Sequence, residues 1–157
     1  MLSIRSRIVH FLLKYLVRPR LTAELDVPGQ RRMMEKRGRL IGVPKGTEVK
    51  EVDAGGVKAE WVSAPDSAAD RVVLYLHGGG FALGSPSSHR NIAARLSARA
   101  NVRVLVIDYR KAPEHPFPAA LDDCVTAYRW LFDCGVAPRH IAIAGDSAGG
   151  NLTITTL

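Results

Sequence analysis

The sequence predicts an α/β fold: a mostly parallel sheet with flanking helices, preceded by a β-hairpin and two helices. Three observations predict it. From residue 71 onward, short and almost continuously apolar runs alternate with longer amphipathic stretches. That alternation marks strands buried on both faces and joined by crossover helices. The runs TEVKEVD and VKAEWVS alternate with period two on either side of AGG, a hairpin signal. The first 38 residues carry helical spacing instead.

Each element follows from its residues. Ile4, Ile8, Phe11, Leu12, Tyr15 and Leu16 recur at helical spacing, which predicts an amphipathic helix over 3–17 that breaks at Pro19 and packs on something. A polar helix over 22–38 ends near Gly38, and IGVPKG connects it to the hairpin. APDSAAD, 64–70, is a loop. RVVLYLH, 71–77, is a buried strand. SSHRNIAARLSARA, 87–100, is a helix with Ser87 or Ser88 able to cap it. VRVLVIDY, 102–109, is a second buried strand. FPAALDDCVTAYRWLFDCG, 117–135, is a helix with Ala120, Val125, Tyr128, Leu131 and Phe132 on one face and Gly135 at its C-terminal cap. HIAIAGD, 140–146, is a third buried strand, and AGGNLTITTL begins a helix.

Composition narrows the class. The chain has 157 residues, enough for one domain with a core, and its 46% hydrophobic and 24% charged residues are those of a globular protein. The net charge of +7 is uneven: residues 1–50 hold 12 Lys and Arg against 4 Asp and Glu, and residues 51–157 hold 10 against 11. A basic arm therefore precedes a near-neutral body. No aromatic interleaving or finger spacing accompanies it, so nucleic acid is not expected as a partner. The apolar run within residues 1–20 is interrupted by Lys14 and too short to span a bilayer, which leaves weak membrane-surface contact as the alternative use of this segment. Cys124 and Cys134 lie about 15 Å apart along one expected helix, beyond disulfide reach. Reduced thiols and a cytoplasmic location are the expectation.

Two motifs carry chemistry. Gly145, Ser147 and Gly149 fit G-x-S-x-G, a pattern that chance supplies in about one chain in twenty. Its context makes it informative: a buried strand leads in and a helix leads out. Such a turn holds the serine in a strained backbone geometry at a helix N-terminus, where developing negative charge is favoured. A Cβ at Gly145 or Gly149 would crowd the adjacent strand or helix. The second motif, His77-Gly78-Gly79-Gly80, follows the first buried strand and arises by chance in on the order of one chain in a thousand. Its glycines leave backbone N–H groups uncovered, as an oxyanion hole requires. The partner donor is the N–H of the residue after the nucleophile, Ala148. GGGFALG does not fit G-x-G-x-x-G, no phosphate-binding P-loop is present, and no His or Cys cluster has metal-ligand spacing. His10, His89 and His140 read as surface histidines, and His115 as a structural loop residue.

HGGGFALGS (77–85), DYRKAPEHPFPAALDD (108–123) and GDSAGGNL (145–152) together resemble the α/β-hydrolase esterases and lipases similar to hormone-sensitive lipase. The resemblance implies the α/β-hydrolase fold, with residues 1–42 as a helical cap segment and 43–157 as the N-terminal portion of the hydrolase domain. It implies Ser147 as nucleophile, with His77, Gly78, Gly145, Asp146 and Gly149 as motif positions. Gly79, Gly80 and Ala148 become the oxyanion donors. It further implies a carboxylic ester substrate of short to medium acyl length, no cofactor, and a cap that shapes the acyl pocket. In the middle block, Pro113, Pro116 and Pro118 fix the backbone, while Asp108, Arg110 and Glu114 read as ion-paired scaffolding.

A serine hydroxyl needs a base. In this fold the order along the chain is Ser, then acid, then His, yet all five histidines and all fifteen acids precede Ser147. The expectation is therefore a C-terminally truncated piece of an esterase with little turnover of its own. The alternatives are a receptor-like ligand-binding member of the same fold and a basic, membrane-surface-associated scaffold.

Overall fold

The computed structural model describes residues 3–17 and 26–157. In chain order it contains α1 (Ile4–Leu12) running into one π-helical turn (Leu13–Val17), α2 (Val27–Leu40), β1 (Glu48–Asp53), β2 (Lys58–Ser63), β3 (Ala68–Leu76), α3 (Pro86–Ala100), β4 (Val102–Ile107), α4 (Ala119–Asp133), a 3₁₀ turn (Pro138–His140), β5 (Ile141–Gly145) and α5 (Ala148–Thr156). Every expected element of 26–157 is present, but β5, expected as a buried strand, lies at the sheet's edge, paired with β3 alone among the described residues, and none of its residues is buried. The break at Pro19 and the expected start of the second helix at residue 22 lie outside the described residues.

The five strands form one sheet in the order β1-β2-β4-β3-β5. β3 pairs in parallel with β4 on one side and with β5 on the other, and the β1–β2 hairpin joins through an antiparallel β2–β4 pairing. Side chains on β3 alternate between faces. Val72, Leu74 and Leu76 pack with Leu105, Ile107, Cys124, Ala127, Leu131 and Leu152 on one face. Val73 and Tyr75 pack with Val62, Ala93, Ala94, Val104 and Val106 on the other. Helices α4 and α5 therefore cover one face and α3 covers the other, which is why the strand reads as an unbroken apolar run.

Four boundaries differ from the sequence expectation. β3 begins at Ala68, inside the expected loop, because Ala68 pairs with Val102. Residues 69–71 are exposed and carry no apolar signal. The cap of α3 is Ser85 rather than Ser87 or Ser88: Ser88 N donates to Ser85 Oγ, Ser88 Oγ accepts from Ser85 N at 2.9 Å, and Pro86 occupies the first turn, where a missing N–H is harmless. α2 starts after Asp26, whose carboxylate accepts from Gly29 N at 2.8 Å, and runs past Gly38 to Leu40. Gly38 is a close-approach residue, since a Cβ there would lie 2.6 Å from Ser87 O on α3. Finally, α1 is α-helical only to Leu12 and buries none of its residues. α4 ends as expected: Gly135 has φ +81°, Gly135 N donates to Phe132 O and Val136 N to Leu131 O, the Schellman arrangement.

Among the described residues, no helix is long and apolar enough to cross a membrane.

Candidate active site

The last paired residues of β3 and β5 are Leu76 and Gly145. The segments 77–80 and 146–149 therefore leave two adjacent parallel strands at the same edge of the sheet. This one register brings the two sequence motifs together.

Ser147 has φ +51° and ψ −117°. A residue with a Cβ is strained there, at a cost of about 1–3 kcal/mol that the surroundings must offset. Those surroundings are tight. A Cβ on Gly149 would lie 1.8 Å from Leu76 O, and one on Gly145 would lie 2.4 Å from Gly149 O and 2.6 Å from Leu76 O. The turn fits against the end of β3 only because both positions are glycine. Ser147 is exposed, and its hydroxyl makes no hydrogen bond among the described residues. Ala148, buried at the first position of α5, has a backbone N–H without a partner among those residues. An unpaired N–H at a helix N-terminus favours negative charge.

The glycine loop is pinned so that its next donors stay free. Gly78 N donates to Asp146 Oδ1 at 3.0 Å. Gly78 O lies 2.9 Å from His77 Nδ1, and a carbonyl only accepts, so Nδ1 carries the ring proton. Gly79 O accepts from Leu83 N at 2.8 Å and from Ala82 N at 3.2 Å. The N–H groups of Gly79 and Gly80 have no partner among the described residues. Gly79 and Gly80 have φ of +126° and +62°, and Phe81 follows at +60°. At Gly79 a Cβ would also meet Leu83 O at 2.3 Å.

His77 is fully buried, stacked on Tyr109 at 4.3 Å and on His89 at 5.3 Å. Burial is the main force that pushes its pKa down to about 4. Its Nε2 is buried without a hydrogen-bond partner. Tyr109, buried beside it, donates its hydroxyl to His77 O at 2.7 Å, and burial raises the Tyr109 pKa.

Two residues of this cluster do more than the sequence suggests, Asp146 as a motif position and His89 as a surface histidine. Asp146 joins the motifs: its Oδ1 accepts from Tyr75 OH at 2.9 Å as well as from Gly78 N. Burial, followed by the Asp146 hydrogen bond, raises the Tyr75 pKa. A Cβ on Gly78 would strike the Asp146 carboxylate at 2.2 Å. His89, expected at the surface, is buried. Its Nδ1 lies 2.9 Å from Ser88 Oγ, and its Nε2 stands 3.6 Å from Asp146 Oδ1. The signal was present in the spacing, because His89, Ala93 and Ser97 lie four residues apart on the face of α3 turned to the sheet. His10 is exposed and His140, half-buried, stands 3.5 Å from Asp70.

The middle block is the ion-paired scaffold expected, with two pairs inside the block and one reaching α2. Asp108 meets Lys111, Arg110 clasps Asp123, and Glu114 meets Arg31 of α2. Beside the glycine loop lies an apolar pocket of about 330 Å³ lined by Gly80, Phe81, His115, Phe117, Leu121 and Leu152 among others. His115 itself is exposed. A larger cleft of about 660 Å³, between α2, the hairpin and the start of α3, is lined by charged groups such as Glu35, Arg39, Asp53 and Glu60 and includes no motif residue. Among the described residues, no group of three or more His, Cys, Asp or Glu is placed to hold a metal ion.

Comparison with known proteins gives the family of the fold. Residues 73–157 match the α/β-hydrolase fold family. The chain is 47% identical over 126 residues to an acetyl-hydrolase of Streptomyces hygroscopicus, covering 80% of this chain and 40% of that protein. It superposes on the crystal structure of an esterase from the bacterial hormone-sensitive lipase family with a TM-score of 0.82 at 37% identity, covering 100% of this chain and 52% of the other. The structure of EstE5 soaked with p-nitrophenyl butyrate gives 0.81 at 42% identity, with 93% and 48% covered. The chain thus spans about two fifths to half the length of the proteins it matches.

Proposed function

Because the chain belongs to the α/β-hydrolase fold family, we propose that it contributes the nucleophile and oxyanion half of a carboxylic ester hydrolase site. Ser147 Oγ attacks the ester carbonyl carbon. The carbonyl π electrons move onto oxygen, and that oxyanion takes hydrogen bonds from the N–H groups of Gly79, Gly80 and Ala148. The tetrahedral intermediate collapses with loss of the alcohol to an acyl-serine, which water then hydrolyses. One such donor is worth about 3 kcal/mol in the transition state. The observation that carries this reading is the register Leu76–Gly145, which sets a strained, unpartnered serine beside three unpaired N–H groups.

The apolar pocket next to Gly80 suits a short to medium acyl chain, and residues 1–42 act as a cap over 43–157. The Ser147 proton needs a base. His77 and His89 are occupied in their buried stack, and His140 sits at the opposite end of β5. His115 is exposed at the apolar pocket, but its ring has no hydrogen bond to an acid or to Ser147 among the described residues, and no histidine of residues 1–157 is assigned that role. These residues by themselves are accordingly expected to hydrolyse p-nitrophenyl butyrate at a rate close to a Ser147→Ala control.

In the protein as its gene encodes it, Ser147→Ala is expected to lower kcat for the same ester at least about a thousandfold. A phosphonylating reagent should label Ser147, as located by peptide mass spectrometry. Retention of activity within about tenfold, or labelling at another residue, would overturn the assignment.

A further inference from the structure

The loop that carries Gly79 and Gly80 has three consecutive residues at positive φ; the glycines adopt it freely, but Phe81 persists at φ +60° only where its surroundings over-determine it. Its carbonyls show how that is done. Gly79 O is held by Leu83 N, and Phe81 O accepts from Ala112 N at 2.9 Å. The next carbonyl, Ala82 O, is held from outside the domain body: Arg31 Nε, on α2, donates to it at 2.7 Å. The same guanidinium donates through Nη2 to Ala112 O at 2.6 Å, and through Nη1 and Nη2 to the two carboxylate oxygens of Glu114 at 2.8 Å each. Among the described residues Arg31 is the one hydrogen-bond partner of the Ala82 and Ala112 carbonyls. The Glu114 carboxyl is held below its ordinary range mainly by the Arg31 hydrogen bonds.

We propose that Arg31 is a positioning residue for the oxyanion loop, so that helix α2 forms part of the catalytic scaffold. The proposal rests on Ser147, Gly79 and Gly80 acting as described above. Arg31 makes four hydrogen bonds from three nitrogens set in one plane. A lysine ammonium has three N–H donors on a single atom and cannot make the set. Loss of this clasp frees the 80–83 segment from α2 and leaves the Ala112 N–Phe81 O bond as its backbone tie to the 108–118 block. The two free N–H groups then no longer hold their places relative to Ser147. A misplacement of about 1 Å remote from the chemistry is enough to cost up to about a hundredfold in rate.

The test uses the protein as its gene encodes it, with p-nitrophenyl butyrate and amide hydrogen exchange. Arg31→Ala is expected to lower kcat by about tenfold or more, leave KM within about threefold, and speed exchange at the Leu83 and Ala112 amides. Arg31→Lys should not restore kcat, and Glu114→Gln, which keeps both carbonyl contacts, should cost less than Arg31→Lys. An unchanged kcat, or a rise in KM alone, overturns the proposal. If Arg31→Ala does not fold, the order of Arg31→Lys and Glu114→Gln decides, and wild-type kcat in Arg31→Lys overturns it. If Ser147→Ala remains active, it is the nucleophile reading that fails. The exchange rates at Leu83 and Ala112 then still show whether Arg31 holds the loop, and unchanged rates overturn its role.

Discussion

Strand β3 and helix α1 are both short apolar runs, RVVLYL and IVHFLL within them, yet their surroundings are opposite. Val72, Leu74 and Leu76 are at most 1% exposed, whereas Ile4, Ile8 and Phe11 are 76%, 54% and 58% exposed. Hydrophobic content is therefore no guide to which of the two forms the scaffold. β3 is paired along both edges and covered on both faces by α3, α4 and α5. α1 buries none of its residues. An apolar run announces that a partner is needed; the partner's own residues decide whether the need is met within the described fold. The site draws on both conditions: the glycine motif grows from the doubly covered β3, and the serine motif from β5 at the sheet's edge, where no residue is fully buried.

The sharpest way to break the comparison is to truncate the centre of β3. Leu74 is fully buried between Leu105 and Ile143 in the register of the sheet. Leu74→Ala removes buried methyl and methylene groups and leaves a cavity, so it is expected to destabilise the protein by about 2–5 kcal/mol. Urea denaturation reads this directly. A loss below about 1 kcal/mol would mean that the neighbouring side chains collapse into the space and that β3 is not the rigid centre described.

The next effect is electrostatic and lies one residue beyond β3. His77 has an ordinary value of 6.5 and is pushed to about 4 by burial, so the fold holds the neutral ring. Between those two values the unfolded chain binds a proton that the folded chain does not, and stability rises with pH across that window. The contribution is complete above about pH 6.5 and is lost as pH falls towards about 4, amounting to on the order of 3 kcal/mol. His77→Phe keeps a ring in the stack between Tyr109 and His89 but cannot titrate. Its stability is expected to change less steeply between about pH 6.5 and 4.5 than that of the wild type, as read from urea midpoints. Equal slopes in the two proteins would remove His77 as the cause.

Much of this was legible before any coordinates, and the reason is range. The hairpin, the three apolar strands and the two glycine motifs are each written within a few consecutive residues, where period and composition are enough. What was not legible depends on residues far apart. Asp146 joins Gly78 and Tyr75 across 68 and 71 positions, and Arg31 reaches Ala82 across 51. Asp146 stands inside the serine motif, but no local pattern names its partners, and none marks Arg31 at all. His89 falls between these cases: its polarity suggested the surface, and only the run His89, Ala93, Ser97 placed it inward. Serines at 85, 87 and 88 can all cap α3 by residue type, and only the backbone geometry decides for Ser85.

The smallest expected effect comes from α1 and tests the other side of the comparison. Ile8 stands in the middle of the helix, more than half exposed, with Ile4 and Phe11 exposed on either side of it. Removing an exposed side chain changes little that folding buries, so Ile8→Ala is expected to shift stability by no more than about 0.5 kcal/mol. Alanine's better helix propensity offsets part of even that. The measurement belongs beside Leu74→Ala, in the protein as its gene encodes it and under the same denaturant, because the contrast between the two values is the quantity of interest. A cost for Ile8→Ala that approaches the Leu74→Ala value would show that the α1 stripe is covered by something outside the described residues. The two apolar runs would then differ in where their partners lie along the polypeptide, not in whether they have them.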